Sequence, residues 1–353
     1  MTRYVQILLA ALALLTVLAP AGHSQPPEPT AKVQDGIWIS SAEIAALPDT
    51  GPAWERLKKT ADEPLGKPDL KNQDDDSNIR ILARALVFAR TGIEHYRLEA
   101  LEGILAAVGT EQGGRTLALG RNLAALVISA ELLSLPDAAD ARFRAWLIDI
   151  QNADLEGKTL RTTHEVRPNN WGTLAGASRV AVARYLKNDK ELARCAQVFK
   201  GWLGDRNSYA GFVYKNSDWW QADQGRPVGI NPAGAMRQGH LIDGVLPDDQ
   251  RRSGPFAWPP PHENYVYSAL QGVLTQAVIL SRAGYDVWNW EDRAILRAFN
   301  WLNLAAGYPA DGDDEWLPHL VNHAYGTDFT APVPAKPGKI MGFSDWTHGP
   351  GTR

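Results

Sequence analysis

Apolar residues recur at three- and four-residue spacing along most of the chain from Ser77 onward. That spacing puts the apolar side chains on one face of a helix, as residues 79–88 illustrate. The pattern restarts after each glycine, proline or short polar stretch. It predicts further helices at residues 97–108, 117–133, 138–150, 171–186, 191–203, 265–283 and 290–305. Stretches in which apolar and polar residues alternate, as in a β-strand, are short everywhere. We therefore predict an all-α fold in which strands are minor.

Two stretches break this periodicity. Residues 204–263 contain many Gly, Pro, Trp, Arg and Asp residues but little helical pattern, and the tail from Pro332 loses periodicity again. Long segments of this kind inside a compact domain are usually functional. Helical hairpins with functional loops between them predict an incomplete (α/α) toroid over residues 36–330, followed by an irregular tail over 331–353.

The N-terminus has the three parts of a secretory signal. Arg3 supplies a basic start, an apolar run extends from Val5 to Ala19, and small residues follow it. The run is shorter than the roughly 20 residues that a membrane-spanning helix needs. We therefore predict a cleaved signal peptide over residues 1–24 and a proline-rich, disordered leader over 25–35. The mature protein is expected in the periplasm or outside the cell, free of the membrane.

Composition narrows the function further. The chain has 353 residues, 44% of them hydrophobic, which is enough for one large helical domain without disulfides. Its single cysteine, Cys195, falls on an apolar helix face. The formal net charge is −4, from 36 Lys and Arg against 40 Asp and Glu, whereas nucleic-acid binders carry a basic surplus. We predict a monomer with no nucleic-acid partner, in which any polyanionic substrate meets a local basic cleft.

Tryptophan is frequent, with 13 residues, and several of them lie in the loop region. Flat indole faces stack on sugar rings, and nearby arginine or lysine can hold carboxylates. For any single tryptophan the alternative is a place in the helical core. Trp219 and Trp220 are adjacent and cannot both face inward on a regular element, so we predict that they contribute to carbohydrate binding.

The segment at residues 167–173 (Arg-Pro-Asn-Asn-Trp-Gly-Thr) has the composition of a helix start, with an asparagine as cap. Paired amides at a helix N-terminus can also grip a carboxylate, helped by the positive end of the helix dipole. One of Asn169 and Asn170 can cap while the other points into a cleft, so the two interpretations are compatible.

A second set of polar residues lies farther along the chain. His240 and the adjacent Arg251 and Arg252 form either a cationic pocket or a solvated loop of paired charges. Three prolines then stiffen the approach to His262 and Tyr265. The three-residue spacing of this last pair predicts that both side chains lie on one face of a helical turn.

In this order, these segments resemble the alginate lyase superfamily, whose members share an (α/α) toroid. The resemblance depends on the combination of the asparagine pair with Gly120-Arg121-Asn122-Leu123, Asp243-Gly-Val-Leu-Pro247, Arg251-Arg252, His262-x-Asn264-Tyr265 and Leu270. A weaker likeness covers residues 38–326, which is most of the mature chain. Each segment alone is unspecific, and the combination and its order are moderately specific.

Members of that superfamily cleave the C4–O bond of a uronate by β-elimination, in which asparagine and arginine neutralise the carboxylate, a histidine assists and a tyrosine transfers protons. By position, the resemblance implies catalytic roles for Tyr265, Asn170 and Arg252, with His262 or His240 as the assisting histidine. The predicted substrate contacts are Asn169, Trp171, Arg251, Trp219, Trp220, Arg121 and Tyr267.

This chain departs from the family pattern at one position. Alginate lyases of this kind carry histidine directly after the paired asparagines, whereas this chain has Trp171 there. A catalytic histidine must come from elsewhere, and His164 is a third candidate after His240 and His262. The departure leaves the polymer and the stereochemistry open, because a tyrosine acting alone gives syn elimination and a separate histidine base permits anti elimination.

The implied reaction accounts for the residue types. Removing the C5 proton beside an ionised carboxylate develops enolate charge, which amide and guanidinium donors stabilise. An ionised phenol can take that proton and return it to the leaving oxygen. The scheme needs no cofactor and no metal. His319 and His323, at i and i+4, match the spacing of a zinc-binding pair but lack a clear third ligand, so we predict no metal site.

Two other functions stay open. An inverting glycoside hydrolase on a similar toroid needs two carboxylates, which Asp243, Asp248 and the run Asp313-Asp314-Glu315 contain. A non-catalytic carbohydrate-binding protein is consistent with the missing histidine. The order of asparagine pair, arginine and tyrosine favours a lyase that acts on an acidic polysaccharide such as alginate or a glucuronan.

Overall fold

The computed structural model describes residues 25–216, 219–350 and 352. The predicted signal peptide, residues 1–24, lies outside the described residues. Over the described residues, the regular structure is almost all helical, which confirms the predicted all-α class. The helices are α1 (Ser41–Ala46), α2 (Pro52–Asp62), α3 (Ser77–Thr91), α4 (Glu94–Ala107), α5 (Thr116–Leu133), α6 (Asp137–Ile150), α7 (Leu160–Val166), α8 (Asn170–Leu186), α9 (Asp189–Leu203), α10 (Pro247–Gln250), α11 (Asn264–Arg282), α12 (Trp290–Asn300), α13 (Leu317–Tyr325) and α14 (Ser344–Thr347). A short antiparallel hairpin joins β1 (Met236–Arg237) to β2 (His240–Leu241).

The helices predicted from periodicity are all present, as α3 to α6, α8, α9, α11 and α12. The last of these continues as a π-helical turn at Trp301–Ala305, so together they match the predicted span of 290–305. Periodicity does not predict α1, α2, α7 and α13, which have 6, 11, 7 and 9 residues and therefore few turns in which a repeat can show.

Local sequence signals set several helix ends. The Ser40 hydroxyl accepts a hydrogen bond from the Glu43 backbone N–H while the Glu43 carboxylate accepts one from Ser40, a reciprocal cap at the start of α1. Asn169 and Asn188 cap α8 and α9 through their side chains. Gly92 follows α3 with a φ of 70°, a left-handed conformation that glycine adopts without a Cβ clash.

Four long helices form the central layer. Along it, α3 packs against α5, α5 against α8, and α8 against α11. Glycines permit the closest approaches in this layer. A Cβ at Gly120 would lie 2.9 Å from the Ala175 nitrogen, and a Cβ at Gly272 would lie 2.4 Å from the Thr173 carbonyl carbon. The helix α4 covers α3, and α7 and α9 cover α8.

Helices α8 and α11 run in the same direction. Asn170, the first residue of α8, contacts Ser268 in the second turn of α11. Two turns farther along α11, Gln276 donates a hydrogen bond to the carbonyl of Thr173. Residue numbers rise along both helices from the first contact to the second. The N-terminal ends of α8 and α11 therefore lie at the same end of the layer.

The C-terminal ends of α5, α8 and α11 also meet. Burial raises the pKa of the Glu131 carboxyl near the end of α5, and the positive charges of Arg282 and Arg184 act against that rise. These arginines lie in the last turns of α11 and α8. The three helices are therefore parallel, and the opposite end of the layer, which we call its N-terminal end, gathers their first turns.

The segments at the two ends of the described chain, the leader and the tail, pack near the C-terminal ends of these helices. The predicted disordered leader, residues 25–35, has no helix or strand, but the Thr30 backbone N–H donates to the Gly284 carbonyl at 2.8 Å just after α11. The tail is irregular apart from α14, as predicted. It is anchored by the buried Trp346, whose indole N–H donates to the Pro48 carbonyl. The leader is therefore attached to the fold.

The long loop at residues 204–263 is organised around the buried side chain of Asn231. Its amide donates to the carbonyls of Trp220 and Ile242 and accepts a hydrogen bond from the Ala222 backbone. Such bonds replace the backbone pairing that a regular element would supply. The loop then passes through α10 and returns directly to the start of α11.

Within the described part of the chain, one helix is long and apolar enough to span a membrane, judged by length and composition alone. It is α5, and 83% of its apolar window is buried inside the structure. A helix that packs between α3 and α8 needs apolar side chains on several faces. Its composition is therefore explained by its central place in the layer.

Candidate active site at the N-terminal ends of α8 and α11

Asn169 and Asn170 make different contacts at the start of α8. The Asn169 side chain accepts a hydrogen bond from the Trp171 backbone N–H at 3.2 Å, and this cap uses its oxygen. Asn170 instead directs its side chain toward α11, where Nδ2 donates to the Ser268 hydroxyl at 3.3 Å. Its Oδ1 is buried and has no hydrogen-bond partner among the described residues. The structure therefore makes Asn169 a cap, which differs from its predicted role in substrate contact, and leaves Asn170 with unused hydrogen-bonding capacity.

Tyr265 is the second residue of α11 and is 40% exposed. Its backbone N–H donates to the Glu263 carboxylate at 3.2 Å, and the Ser253 hydroxyl donates to the same carboxylate at 2.6 Å. Residues three apart on a helix share a face, so Tyr265 lies on the same side of α11 as Ser268, the partner of Asn170. Tyr265 and the residue that contacts the Asn170 amide therefore lie on one face of α11, at the N-terminal end of the layer.

Arg252 completes this group. Its guanidinium carbon lies 4.7 Å from the centroid of the Tyr265 ring. The adjacent Arg251 has a different partner, because its Nε donates to the Asp248 carboxylate at 2.9 Å. Of the two predicted arginines, the structure thus brings Arg252 to the tyrosine.

The predicted catalytic histidines are placed differently. His262 precedes the N-cap of α11, so the predicted shared helical face with Tyr265 is wrong: the helix begins too late to include it. Its ring stacks on Tyr308 at 4.3 Å with an interplanar angle of 7°, and its Nε2 lies 3.1 Å from the Ala306 carbonyl. His240, on β2, stacks on Trp258 at 4.4 Å. The contacts found for His262 and His240 thus involve neither Tyr265 nor Asn170.

The third histidine lies inside the fold. Burial lowers the pKa of the His164 imidazole well below its ordinary value, and the nearby positive charge of Arg179 acts in the same direction. Its Nδ1 lies 3.4 Å from the Arg179 guanidinium, which also binds Glu165 and Glu191. His164 therefore belongs to a buried charge network between α7, α8 and α9.

Several predicted aromatic contacts are part of the core. Trp220 is fully buried, donates its indole N–H to the Gly254 carbonyl and packs on Phe256, so it offers no free face to a sugar. Tyr267 is also fully buried, and its hydroxyl donates to the Tyr308 carbonyl at 2.6 Å. These two positions are corrected from substrate contacts to packing residues.

The other two predicted tryptophans, Trp171 and Trp219, are half-buried, and the long loop exposes a third ring, that of Trp258. Trp171 packs partly against the core, and the Arg167 guanidinium lies 5.5 Å from its ring centroid. Trp219 also packs partly against the core. Trp258 is exposed on the rim of the long loop at 38%. The rings that can still reach a ligand are therefore Trp171, Trp219 and Trp258.

Arg121 lies in a neighbouring acidic cluster. Its charged neighbours are Asp74, Asp313 and Asp314, and its buried Nε has no hydrogen-bond partner among the described residues. Asp314 accepts a hydrogen bond from Gln271, in the second turn of α11. Burial raises the pKa of Asp314 to about 7, and the negative charge of Asp313 contributes to the rise. The cluster thus adds a carboxyl that titrates near neutral pH.

Asp249 is a member of the group around Asn170 that sequence reasoning passed over. It is 1% exposed, and its Oδ1 accepts a hydrogen bond from the Asn170 backbone N–H at 3.1 Å. Burial raises the pKa of this carboxyl well above its ordinary value, and the adjacent Asp248 adds to the rise. The pair of aspartates two residues before the arginine pair was the available signal, but sequence alone does not show that Asp248 pairs with Arg251 while Asp249 contacts Asn170.

A separate cavity lies at the opposite end of the molecule. Its volume is about 730 Å³, and Arg282, His323, Trp346 and His348 are among the residues that line it. None of the predicted catalytic or substrate-contact residues borders it. In the group around Tyr265, the tyrosine itself is exposed, whereas Asn170 and Asp249 are buried.

Metal coordination receives no support within the described ranges, which contain no group of three or more histidine, cysteine or acidic residues that can hold an ion. His319 lies 3.2 Å from the Pro332 carbonyl through Nε2, and His323 contacts the Thr352 hydroxyl through Nδ1. No protein-family model and no curated protein sequence matches this chain. The side chains at the N-terminal ends of α8 and α11 are therefore the basis for inferring a function.

Proposed function

We propose that this chain is a polysaccharide lyase that cleaves a uronic-acid polymer by β-elimination. Two contacts support the proposal: Asn170 donates to Ser268, and the Arg252 guanidinium lies over the Tyr265 ring. Because Tyr265 and Ser268 are three residues apart on α11, we take the amide, the phenol and the guanidinium to act on one sugar unit. These groups come from three separate segments of the chain. Each matches one requirement of the elimination.

The first requirement is to neutralise the substrate carboxylate. A uronate carboxylate beside C5 opposes loss of the C5 proton, because both place negative charge on the same part of the sugar. Asn170 offers an amide N–H, and Arg252 offers a guanidinium that lies over the Tyr265 ring, whereas Arg251 is paired with Asp248. The N-terminal end of α8 adds the positive end of its dipole. Together these donors stabilise the enolate as it forms.

The second requirement is proton transfer. The ionised Tyr265 phenol takes the C5 proton, and the former C–H electron pair forms the C4–C5 double bond while the C4–O bond breaks. The leaving O4 then takes the same proton from the phenol, so that the tyrosine is regenerated. One residue that acts on both sides of the bond gives syn elimination. That stereochemistry is consistent with the contacts of His240 and His262, because neither histidine contacts Tyr265.

The fold we propose for this activity is an incomplete (α/α) toroid. The inner helices follow the order α3, α5, α8 and α11, of which the last three are parallel. Contacts from α11 to α13, from α13 to α14, from α14 to α2 and from α2 to α3 suggest how the ring returns toward its start. In this arrangement the N-terminal ends of the inner helices form the face that meets the polymer, outside the cytoplasm if residues 1–24 direct export.

The test is a panel of uronic-acid polymers incubated with the purified protein. A lyase produces a C4–C5 double bond at each new non-reducing end, so ultraviolet absorbance rises with time. Reducing ends that appear without absorbance indicate hydrolysis instead. The proposal is wrong if no polymer of mannuronate, guluronate or glucuronate yields an absorbing product.

A specific observation supports a second candidate, an inverting glycoside hydrolase. Asp314 has a pKa raised to about 7 and lies near further acids, which is typical of a general acid in such an enzyme. In a hydrolase, Asp314→Asn is expected to lower kcat by at least about 100-fold. In the lyase that we propose, Asp314 takes no part in proton transfer, so kcat should change only a few-fold. Initial rates for the variant, measured by absorbance and by reducing ends, separate the two.

A rim contact with a distant sugar unit is expected at Trp258. Its ring is exposed and is held by stacking on His240. Loss of one aromatic stacking contact weakens binding by about tenfold. Trp258→Ala should therefore raise KM about tenfold for long oligosaccharides, with kcat unchanged, and leave the shortest cleaved substrate unaffected. Trp258→Phe should restore most of the affinity, whereas equal effects at every chain length would place the tryptophan elsewhere.

A further inference from the structure

Two buried oxygen atoms lie in the same small region without a hydrogen-bond partner among the described residues. They are Oδ2 of Asp249 and Oδ1 of Asn170. The two residues are already joined, because the Asn170 backbone N–H donates to the other oxygen of Asp249 at 3.1 Å. Two buried acceptors with no donor destabilise a fold, because both have lost their hydrogen bonds to water. A single proton placed on Asp249 would supply the missing donor.

The surroundings of Asp249 favour that proton. Asp248, its neighbour in α10, is also buried, and its carboxylate accepts a hydrogen bond from Arg251 in an ion pair. Arg252 faces the ring of Tyr265. The positive charges of both arginines act against the rise in the pKa of Asp249, but burial and the charge of Asp248 outweigh them. From α8, the group that faces the carboxyl is the neutral Asn170.

The protonation state of Asp249 decides which side-chain atom of Asn170 faces the bound substrate. A protonated carboxyl can donate to Oδ1 of Asn170, which leaves Nδ2 free to donate to Ser268 and to a substrate. An ionised carboxylate can only accept, so it would attract Nδ2 and turn the carbonyl oxygen outward. A carbonyl facing a uronate carboxylate repels it, whereas an amide N–H binds it.

We infer that Asp249 is a neutral carboxylic acid that positions Asn170, by donating its proton to the Asn170 carbonyl and holding the amide N–H toward the anionic substrate. The role in substrate binding depends on the proposed lyase function. The protonation and the contact with Asn170 do not, so they can be tested by themselves.

The first experiment measures the melting temperature of the wild-type protein and of Asp249→Asn between pH 4 and pH 8. If the folded wild type holds a proton that the unfolded chain releases, folding takes up a proton above the ordinary aspartate pKa of about 3.9. Wild-type stability then falls as pH rises through that window, until the folded carboxyl itself ionises. Asparagine keeps a donor and an acceptor without titrating. The melting-temperature advantage of Asp249→Asn should therefore widen with pH.

The second experiment measures KM and kcat against pH on a cleaved uronate oligosaccharide. Wild-type KM should rise on the alkaline side as Asp249 ionises, whereas KM of Asp249→Asn should stay flat, with kcat near that of the wild type. Asp249→Ala removes the donor and should raise KM about tenfold over the pH range in which wild-type Asp249 is protonated, the value of one hydrogen bond. Asp248→Asn is the matched neighbouring change: it breaks the ion pair with Arg251 and should show no growing stability advantage.

The outcomes are separable. A constant or shrinking melting-temperature difference between Asp249→Asn and the wild type means that Asp249 is ionised in the fold, and the inference is wrong. A KM for Asp249→Asn as high as that of Asp249→Ala also overturns it, because the amide should replace the acid. If no polymer is cleaved, the proposed function fails, and the pH dependence of stability still decides whether Asp249 carries the proton.

Discussion

Replacement of Tyr265 by phenylalanine is expected to lower kcat by about 10²–10⁴-fold, the usual contribution of a general acid–base group. The ring remains, so its contact with the Arg252 guanidinium and the start of α11 should persist. Only the hydroxyl that takes and returns the proton is lost. KM should therefore change little, and the rate of absorbance increase on the cleaved polymer measures the effect.

The matched control is Tyr325→Phe. It removes a phenol hydroxyl that donates to the Trp288 carbonyl at 2.7 Å, beyond the C-terminal end of α11. That variant is expected to lose stability and keep its kcat. Full activity in Tyr265→Phe would contradict the assignment of the proton transfer. A wild-type protein that binds uronate polymers without any turnover would instead favour the non-catalytic alternative.

The helical framework was predictable because it is encoded locally. Eight long helices have enough turns for the apolar spacing to show, and α5 begins only one residue before the predicted start at 117. Short helices such as α10, with four residues, have no such repeat. The glycine contacts that set the spacing of α8 and α11 were also beyond prediction, because a glycine such as Gly272 reveals its neighbour only in three dimensions.

Within the candidate site, sequence order indicated which segments matter and burial decided which side chains do. Asn170 and Asn169 are equivalent in composition, yet the helix boundary makes the first a donor toward α11 and the second a cap. Trp220 and Trp258 are the same residue type in the same loop, but only Trp258 is exposed. A pattern of residues does not fix these differences, because they depend on how the long loop folds back onto the helix ends.

The position of His262 also depends on how the chain folds outside the helix. Spacing placed His262 on the helix of Tyr265, but Glu263 caps that helix and the chain before it turns toward Tyr308. Trp171 stands where the resembling family carries histidine, and it packs partly against the core. The side chains that the structure does bring to the amide and the phenol are Asp249 and Arg252. Neutralisation by an amide, supported by a protonated acid, therefore replaces the expected histidine in our proposal.

Replacement of Asn170 by alanine is expected to lower kcat/KM by about 10²–10³-fold, the usual loss when one donor to a developing oxyanion is removed. Asn170→Asp should be lower still, because it puts a carboxylate where the substrate carboxylate must lie. Alanine is a good helix former, and Asn169 still caps α8, so the helix itself should form. Steady-state rates, with melting temperatures at the same pH, measure the two effects separately.

Asn188→Ala is the matched control, because it removes an amide at another helix start. The Asn188 side chain accepts from the Glu191 backbone N–H and caps α9, on the exposed turn that follows the C-terminal end of α8. Loss of such a cap typically costs about 1 kcal/mol of stability. Asn188→Ala should therefore lose stability and keep its rate, whereas Asn170→Ala should lose its rate even at temperatures where the variant is fully folded. If both variants lose stability and rate in parallel, the amide at 170 acts only through the fold, and the carboxylate of the substrate must be neutralised by Arg252 alone.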